Sequence, residues 1–322
     1  MSGKVVVCGA SGFVGRHVVR ALRGRGTEVV CGSRNPDKAR KRHPEYAWVT
    51  LDIEQPETLR SAFRGADSVI YLVHHMRKQG DLESVEAQSA KNVRDEAAAC
   101  GVRRIVYLGA PEASGGEASE HLRARLRTGE VLRGGPSSVI ELRAGMVVGT
   151  GSESWVIVRD LALRLPVMVL PRWLRSRSQP VAIDDVVTAI LHAIDMKQAG
   201  SRWFDLPGPE ILSGREVLKR VAAVAGLRPF MIDVPVLTPS LSSHWIRLVT
   251  RADYSVARKL VDGLTGDLIA PDRGFWTEFP ELQQTPFDEA VRRAFASEER
   301  EDLGTLGRSM ERAARLLVVR RT

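Results

Sequence analysis

The sequence predicts an α/β protein built on a doubly wound parallel sheet, followed by a smaller C-terminal α/β lobe. Over the first 110 residues, short apolar runs alternate with helical patterns. The runs are continuously apolar, as in strands buried on both faces. A glycine-rich turn joins the first run to the first helix. Parallel strands separated in this way are joined by right-handed crossovers.

Residues 4–8 form the first strand, and Gly12 opens a helix to about Arg23 with Val14, Val18, Val19 and Leu22 on one face. Gly24 and Gly26 end that helix, and 27–31 is the second strand. Pro36 starts a short basic helix before a third strand at 47–51. A helix at 57–64, a strand at 68–73 and a long helix at 81–100 follow, with Gly101 as the stop. The fifth strand is 104–108. A polar stretch at 112–119 leads into a helix ending near Arg133, and 138–142 is the sixth strand.

The first domain is expected to cover 1–150 and the smaller lobe 151–322, with some strands and helices of the lobe returning to the sheet. The lobe reads as a helix at 155–165, a Pro- and Arg-rich loop at 166–180, and a helix opened by Asp184 as its N-cap. A strand at 203–206 and apolar helices near 218–225 and 241–249 come next, then a charged segment from about residue 298 that frays. In the 241–249 helix, Leu241, Trp245, Leu248 and Val249 make a stripe that suits a core better than a membrane.

A chain of 322 residues with 43% hydrophobic and 27% charged residues is that of a soluble globular protein. No apolar run approaches the roughly 18–20 residues of a membrane span. The N-terminus enters a strand without a signal-peptide pattern, so a cytoplasmic location is expected. Cys8, Cys31 and Cys100 are odd in number and scattered, suggesting neither a disulfide framework nor a metal site. The net charge of +8 comes mostly from Arg spread along the chain. No interleaved aromatics accompany it, so no nucleic-acid partner is expected.

The turn Gly9-Ala10-Ser11-Gly12-Phe13-Val14-Gly15 has the spacing G-x-x-G-x-x-G. Glycine lets backbone amides approach a pyrophosphate, and the following helix N-terminus favours the anion. In this strand–turn–helix context the loop predicts a Rossmann-type dinucleotide site. The second strand ends Cys31-Gly32-Ser33-Arg34, with Lys38 one turn further and no acid before Asp37. A basic residue there suits a 2′-phosphate, so NADP(H) is expected, with NAD(H) as the alternative.

The loop resembles that of the short-chain dehydrogenase/reductase superfamily, in its atypical branch of NmrA-like and complex-I-subunit-like NAD(P)-binding proteins. Val49-Thr50-Leu51-Asp52-Ile53 is similar to the family strand whose Asp contacts adenine. Asn92 with the following 101–108 segment, and 142–149 beside the nicotinamide, continue the resemblance. Residues 71–75, 119–125 and 171–173 resemble a bacterial subgroup of these proteins. Beside Ser33, Arg34 and Lys38 at the end of the second strand, cofactor contacts are expected from Gly9, Ser11, Gly12, Phe13, Val14 and Gly15, and the resemblance adds Asp52, Ile53, Leu72, Val73 and His74.

The family's Ser and Tyr-x-x-x-Lys are missing. Gly109-Ala110 stands where the Ser would lie, and His121 and Arg125 stand where Tyr and Lys would be. Three readings follow. His121 replaces Tyr as general acid while Arg125 holds ribose or phosphate. Alternatively the protein is a non-catalytic NADP(H) sensor or accessory subunit, or His121 is a polar residue on a surface helix. His74 and His75 read as loop residues near the cofactor, without a third metal ligand. The loop at 171–177, with Arg172, Arg175 and Arg177, either closes over a substrate or is a solvated connection. On the first reading the partner is a small molecule, hydrophobic or anionic, reduced at a carbonyl, enone or quinone group. An oligomer is compatible with the sequence.

Overall fold

The computed structural model describes residues 3–75, 81–113, 119–197, 200–234, 249–253, 266–271, 274–298 and 304–319. In chain order the first half contains β1 (Val5–Cys8), α1 (Phe13–Gly24), β2 (Val29–Ser33), α2 (Pro36–Arg42), β3 (Ala47–Thr50) and α3 (Pro56–Phe63). It continues with β4 (Ser68–Tyr71), α4 (Leu82–Ala99), β5 (Arg104–Gly109), α5 (Glu120–Arg133) and β6 (Ser138–Arg143). The second half opens with β7 (Val147–Val148), α6 (Glu153–Arg164), β8 (Val167–Pro171), a 3-10 turn (Arg172–Arg175), β9 (Arg177–Ser178) and β10 (Val181–Ala182). Then come α7 (Ile183–Asp195), β11 (Arg202–Asp205), β12 (Leu212–Ser213), α8 (Gly214–Val224) and β13 (Phe230–Val234). The last described helices are α9 (Gly274–Glu278), α10 (Phe287–Ala296) and α11 (Gly304–Val319).

Seven strands form one parallel sheet in the order β11-β6-β5-β4-β1-β2-β3. Strand order reverses between β1 and β4, which opens a crevice at the strands' C-terminal ends. One face is covered by α1 and α7, with Val18, Val19, Leu22, Val186 and Ile190 buried against Val5, Val7 and Ile140. On the other face Leu59, Phe63, Val93 and Leu132 pack against Val6, Val69 and Ile105. Fully burying each such side chain is worth about 1.5–3 kcal/mol, so the two faces hold the sheet as one body. A third cluster around Trp155, Leu163, Leu218, Phe287 and Val291 is the core of the second lobe.

The lobe departs from the sequence expectation in three places. The 166–180 stretch is not all loop, because Val167–Pro171 is a strand paired in parallel with β13. Its partner lies some sixty residues away, and local sequence carries no trace of it. Asp184 is not the N-cap of α7; Ala182 is, and the helix starts at Ile183. Asp184 instead pairs with Arg293 at 3.0 Å, while Asp185 accepts from the Thr285 N–H and hydroxyl at 2.8 and 2.7 Å. The segment after 298 is helical over Gly304–Val319. Its Glu311 joins Arg159 and Arg164 in an ion cluster that also holds Asp160, Arg251 and Glu298. Buried Arg159 and Arg164 need those carboxylates, which recruits a charged segment into the fold. The apolar helix expected at 241–249 lies outside the described residues except for Val249.

Candidate active site

The glycine loop follows directly from β1. Gly9 adopts φ +88, a conformation that side chains disfavour. The Gly12 N–H donates to the Gly9 carbonyl at 2.9 Å and closes the turn. A Cβ on Gly15 would stand 2.2 Å from the Gly9 oxygen, so only glycine lets α1 start this close to the loop. Gly12 caps α1 without a side-chain hydrogen bond, and the first turn contains no acid. The helix N-terminus therefore presents amides and positive potential to an anion in the crevice. These features fit a dinucleotide pyrophosphate.

The crevice is a cavity of about 1070 Å³. The residues expected to contact the cofactor line it, namely Gly9, Ser11, Gly12, Phe13, Val14 and Gly15 at the loop, Ser33, Arg34 and Lys38 past β2, and Asp52, Ile53, Leu72, Val73 and His74; His121 and Arg125 line it too. The β2 end is cationic. Ser33 Oγ accepts from the Asn35 N–H at 3.2 Å, which leaves its hydroxyl hydrogen to donate elsewhere. Asn35 caps α2 through the Lys38 N–H at 3.0 Å, turning Lys38 and Arg42, four residues apart, to the cavity. No lining residue between 32 and 48 is acidic. At the next strand Asp52 Oδ1 accepts from the Glu54 N–H at 3.1 Å, and Asn92 donates to the Ile53 carbonyl at 3.0 Å. Asn92 thus acts by fixing the Asp52–Ile53 backbone.

Three anchors position α5, the helix that carries His121. Glu120 Oε1 accepts from the Leu82 N–H at 3.1 Å, and the Tyr107 hydroxyl donates to the Arg125 carbonyl at 3.0 Å. At the far end Arg133 pairs with fully buried Glu141. Ser119 caps the helix, placing His121 in its first turn, with its ring edge-on to His74 at a centroid distance of 6.1 Å. Arg125, one turn on, is buried. Its guanidinium donates to the Leu108 carbonyl and lies 5.5 Å from the Tyr107 ring centroid. The two residues share the cavity but differ in role: Arg125 braces the end of β5, whereas His121 faces the crevice.

His75 is buried and held between two carboxylates. Its Nε2 is 3.1 Å from Glu54 Oε1, its Nδ1 is 3.6 Å from Glu86 Oε1, and the His75 backbone N–H donates to Glu86 Oε1 at 2.5 Å. The Glu86 carboxylate, aided by Glu54 and opposed by burial, raises the imidazole pKa above its usual value. Burial pushes Glu86 up, but the His75 hydrogen bonds together with the Arg125 and His75 charges offset this and leave its pKa lowered. A His raised in the folded state stabilises it fully below the unfolded pKa of about 6.5, and that contribution fades as pH rises through the folded pKa. Hydrogen exchange at 72–75 is accordingly expected to show greater protection near pH 6 than near pH 9. Glu86→Gln is expected to flatten the difference, and a pH-independent wild type would contradict the clamp.

Sequence reading missed Arg16 and Arg42 and the cavity's apolar wall of Ile157, Val158, Leu161, Leu174, Val217 and Leu218. Arg42 was readable from its spacing to Lys38, whereas the wall needs the lobe's tertiary packing. Around the 3-10 turn the arginines face away. Arg172 and Arg175 are exposed, and Arg177 forks Asp267 at 2.8 and 3.0 Å, while Leu174, Ser176 and Ser178 line the cavity. The side chain of Trp173 lies outside the described residues.

Residues 9–164 match a family model described as NAD(P)H-binding. The ceramide reductase of Caulobacter vibrioides is 29% identical over 252 residues, covering 72% of this chain and 74% of that protein. Cinnamoyl-CoA reductase 1 of Oryza sativa subsp. japonica is 32% identical over 111 residues, 32% of this chain and 33% of that protein. Citrobacter sp. triphenylmethane reductase complexed with NADP(H) has a TM-score of 0.71 over 90% of this chain and 99% of that one, at 17% identity. MoeE5 in complex with UDP-glucose and NAD scores 0.69 over 91% and 98%, also at 17% identity. At such identities the structural likeness speaks for the fold. No helix among the described residues is long and apolar enough to cross a membrane. The glycine loop, the sheet order and the family match together make residues 9–164 an NAD(P)-binding domain of Rossmann type, in a chain similar to these reductases.

Proposed function

We propose that the chain is a cytoplasmic, NADP(H)-dependent reductase of a carbonyl, enone or quinone group carried on an apolar, lipid-like molecule. One observation carries the reading: the phosphate cradle, the acid-free cationic end of β2, His121 and an aliphatic wall all line one cavity. The Caulobacter relative's name, ceramide reductase, supports a lipid substrate.

When bound, NADPH would supply a hydride to the substrate's electrophilic centre. The chain's residues do the rest. Arg34, Lys38 and Arg42 hold the 2′-phosphate, and the loop amides hold the pyrophosphate. Leu161, Leu174, Val217 and Leu218 bind the apolar body and exclude water. His121 gives a proton to the oxygen as negative charge develops on it, which completes an alcohol from a carbonyl, an enol from an enone or a hydroquinone from a quinone.

Consumption of NADPH with long-chain ketones, enones and quinones in mixed micelles tests this. Oxidation is expected to rise with chain length up to the limit of the cavity. Tight NADPH binding without consumption by any electrophile would favour the sensor reading instead.

A further inference from the structure

Strands β8 and β13 form a two-stranded parallel ribbon on the second lobe, with Phe230 opposite Val167 and Ile232 opposite Val169. Paired residues of parallel strands project to the same face. Met168 and Leu170 point inward and are buried in the lobe core, with Met231 packed against them. Val167, Val169, Phe230 and Ile232 point outward at 46%, 38%, 57% and 41% exposure. Parallel strands are ordinarily covered on both faces, so an outer face of four apolar side chains is a contact surface.

Cations stand at both ends of this face. Exposed Arg228 precedes β13, at the end where the Phe230 N–H donates to the Pro166 carbonyl at 3.0 Å. Exposed Arg172 and Arg175 follow β8 at the other end. The acid on the ribbon, Asp233, pairs with Arg215. We propose that this face docks the protein on an anionic lipid bilayer, its apolar side chains entering the headgroup boundary and its arginines meeting lipid phosphates. A second copy fits less well, because a two-fold contact would bring the same arginines together. Leu174, between Arg172 and Arg175, lines the cavity, so the docked face adjoins its apolar end. Docking stands independently of the reaction, whereas delivery of a membrane-borne substrate to the cavity rests on the proposed function.

Cosedimentation of the full chain with vesicles of phosphatidylcholine, with and without about one-third phosphatidylglycerol, tests the docking. The wild type is expected to bind the anionic vesicles and to lose binding with added salt. The double variant Phe230→Ser, Ile232→Ser should partition at least about tenfold more weakly, and Arg172→Gln with Arg175→Gln should lose the preference for anionic lipid. NADPH titration of each variant, expected unchanged, shows that folding and the cofactor site are intact. Absent vesicle binding by a wild type that binds NADPH would overturn the proposal, as would binding indifferent to both variants. A dimer in sedimentation velocity that the Phe230→Ser, Ile232→Ser variant dissolves would assign the face to a second copy and equally overturn it. None of these outcomes depends on turnover, so failure of the docking and failure of the reductase reading are distinguishable.

Discussion

Arg34→Asp is expected to weaken NADPH binding by roughly 10²-fold while leaving NADH binding within about threefold, read by fluorescence titration. NADPH differs from NADH by one phosphate, and Arg34 lies past the end of β2, where that phosphate would sit. A hydrogen bond to a charged group is worth about 1.5–3 kcal/mol, or roughly 10- to 10²-fold in affinity. An acid there adds repulsion to that loss, which sets the upper end. The same Asp can accept from both ribose hydroxyls of NADH, so NADH loses little. Lys38→Ala should cost less, since Arg42 projects from the same helix face. Equal losses for both cofactors would mean that the cations at β2 do not read the phosphate, and the NADP(H) preference would fall.

Much of the first 150 residues is legible because its determinants are local. Continuous apolar runs, the left-handed Gly26 and Gly101 past the ends of α1 and α4, and the glycine loop each act within a few residues, and the elements fall within about two residues of expectation. The second strand shows the usual error: the expected 27–31 is realised as Val29–Ser33, because its pairing with β1 and β3 sets its ends. The second lobe is less legible because its elements exist through distant partners. Val167–Pro171 is a strand only because Phe230–Val234 lies beside it, and Glu311 becomes structural only because Arg159 and Arg164 are buried. The site divides in the same way. Its phosphate end comes from one strand–turn–helix and the adjoining β2 end, whereas its apolar wall draws on α6, α8 and the turn after β8. Sequence therefore indicates the cofactor better than the substrate.

His121→Phe is expected to lower turnover on the order of 10²–10⁴-fold and to leave NADPH affinity within about twofold. Gly109-Ala110 offers no hydroxyl at the end of β5, and buried Tyr107 directs its own at the Arg125 carbonyl. Arg125 is braced against Leu108 and, as a guanidinium, is a poor proton donor at neutral pH. His121 has the cavity position, and imidazole is the side chain that ordinarily titrates near neutrality. Phe keeps the ring's size and its edge contact with His74 while removing the proton, so a large loss would report chemistry more than packing. His74→Phe separates the two histidines: as a neighbour that limits the swing of His121, it should cost about tenfold or less. Restoration of His121→Phe activity by added imidazole would tie the loss to proton transfer. A wild type that consumes NADPH at a rate indifferent to both substitutions would remove His121 from the mechanism and leave the dinucleotide site as it stands.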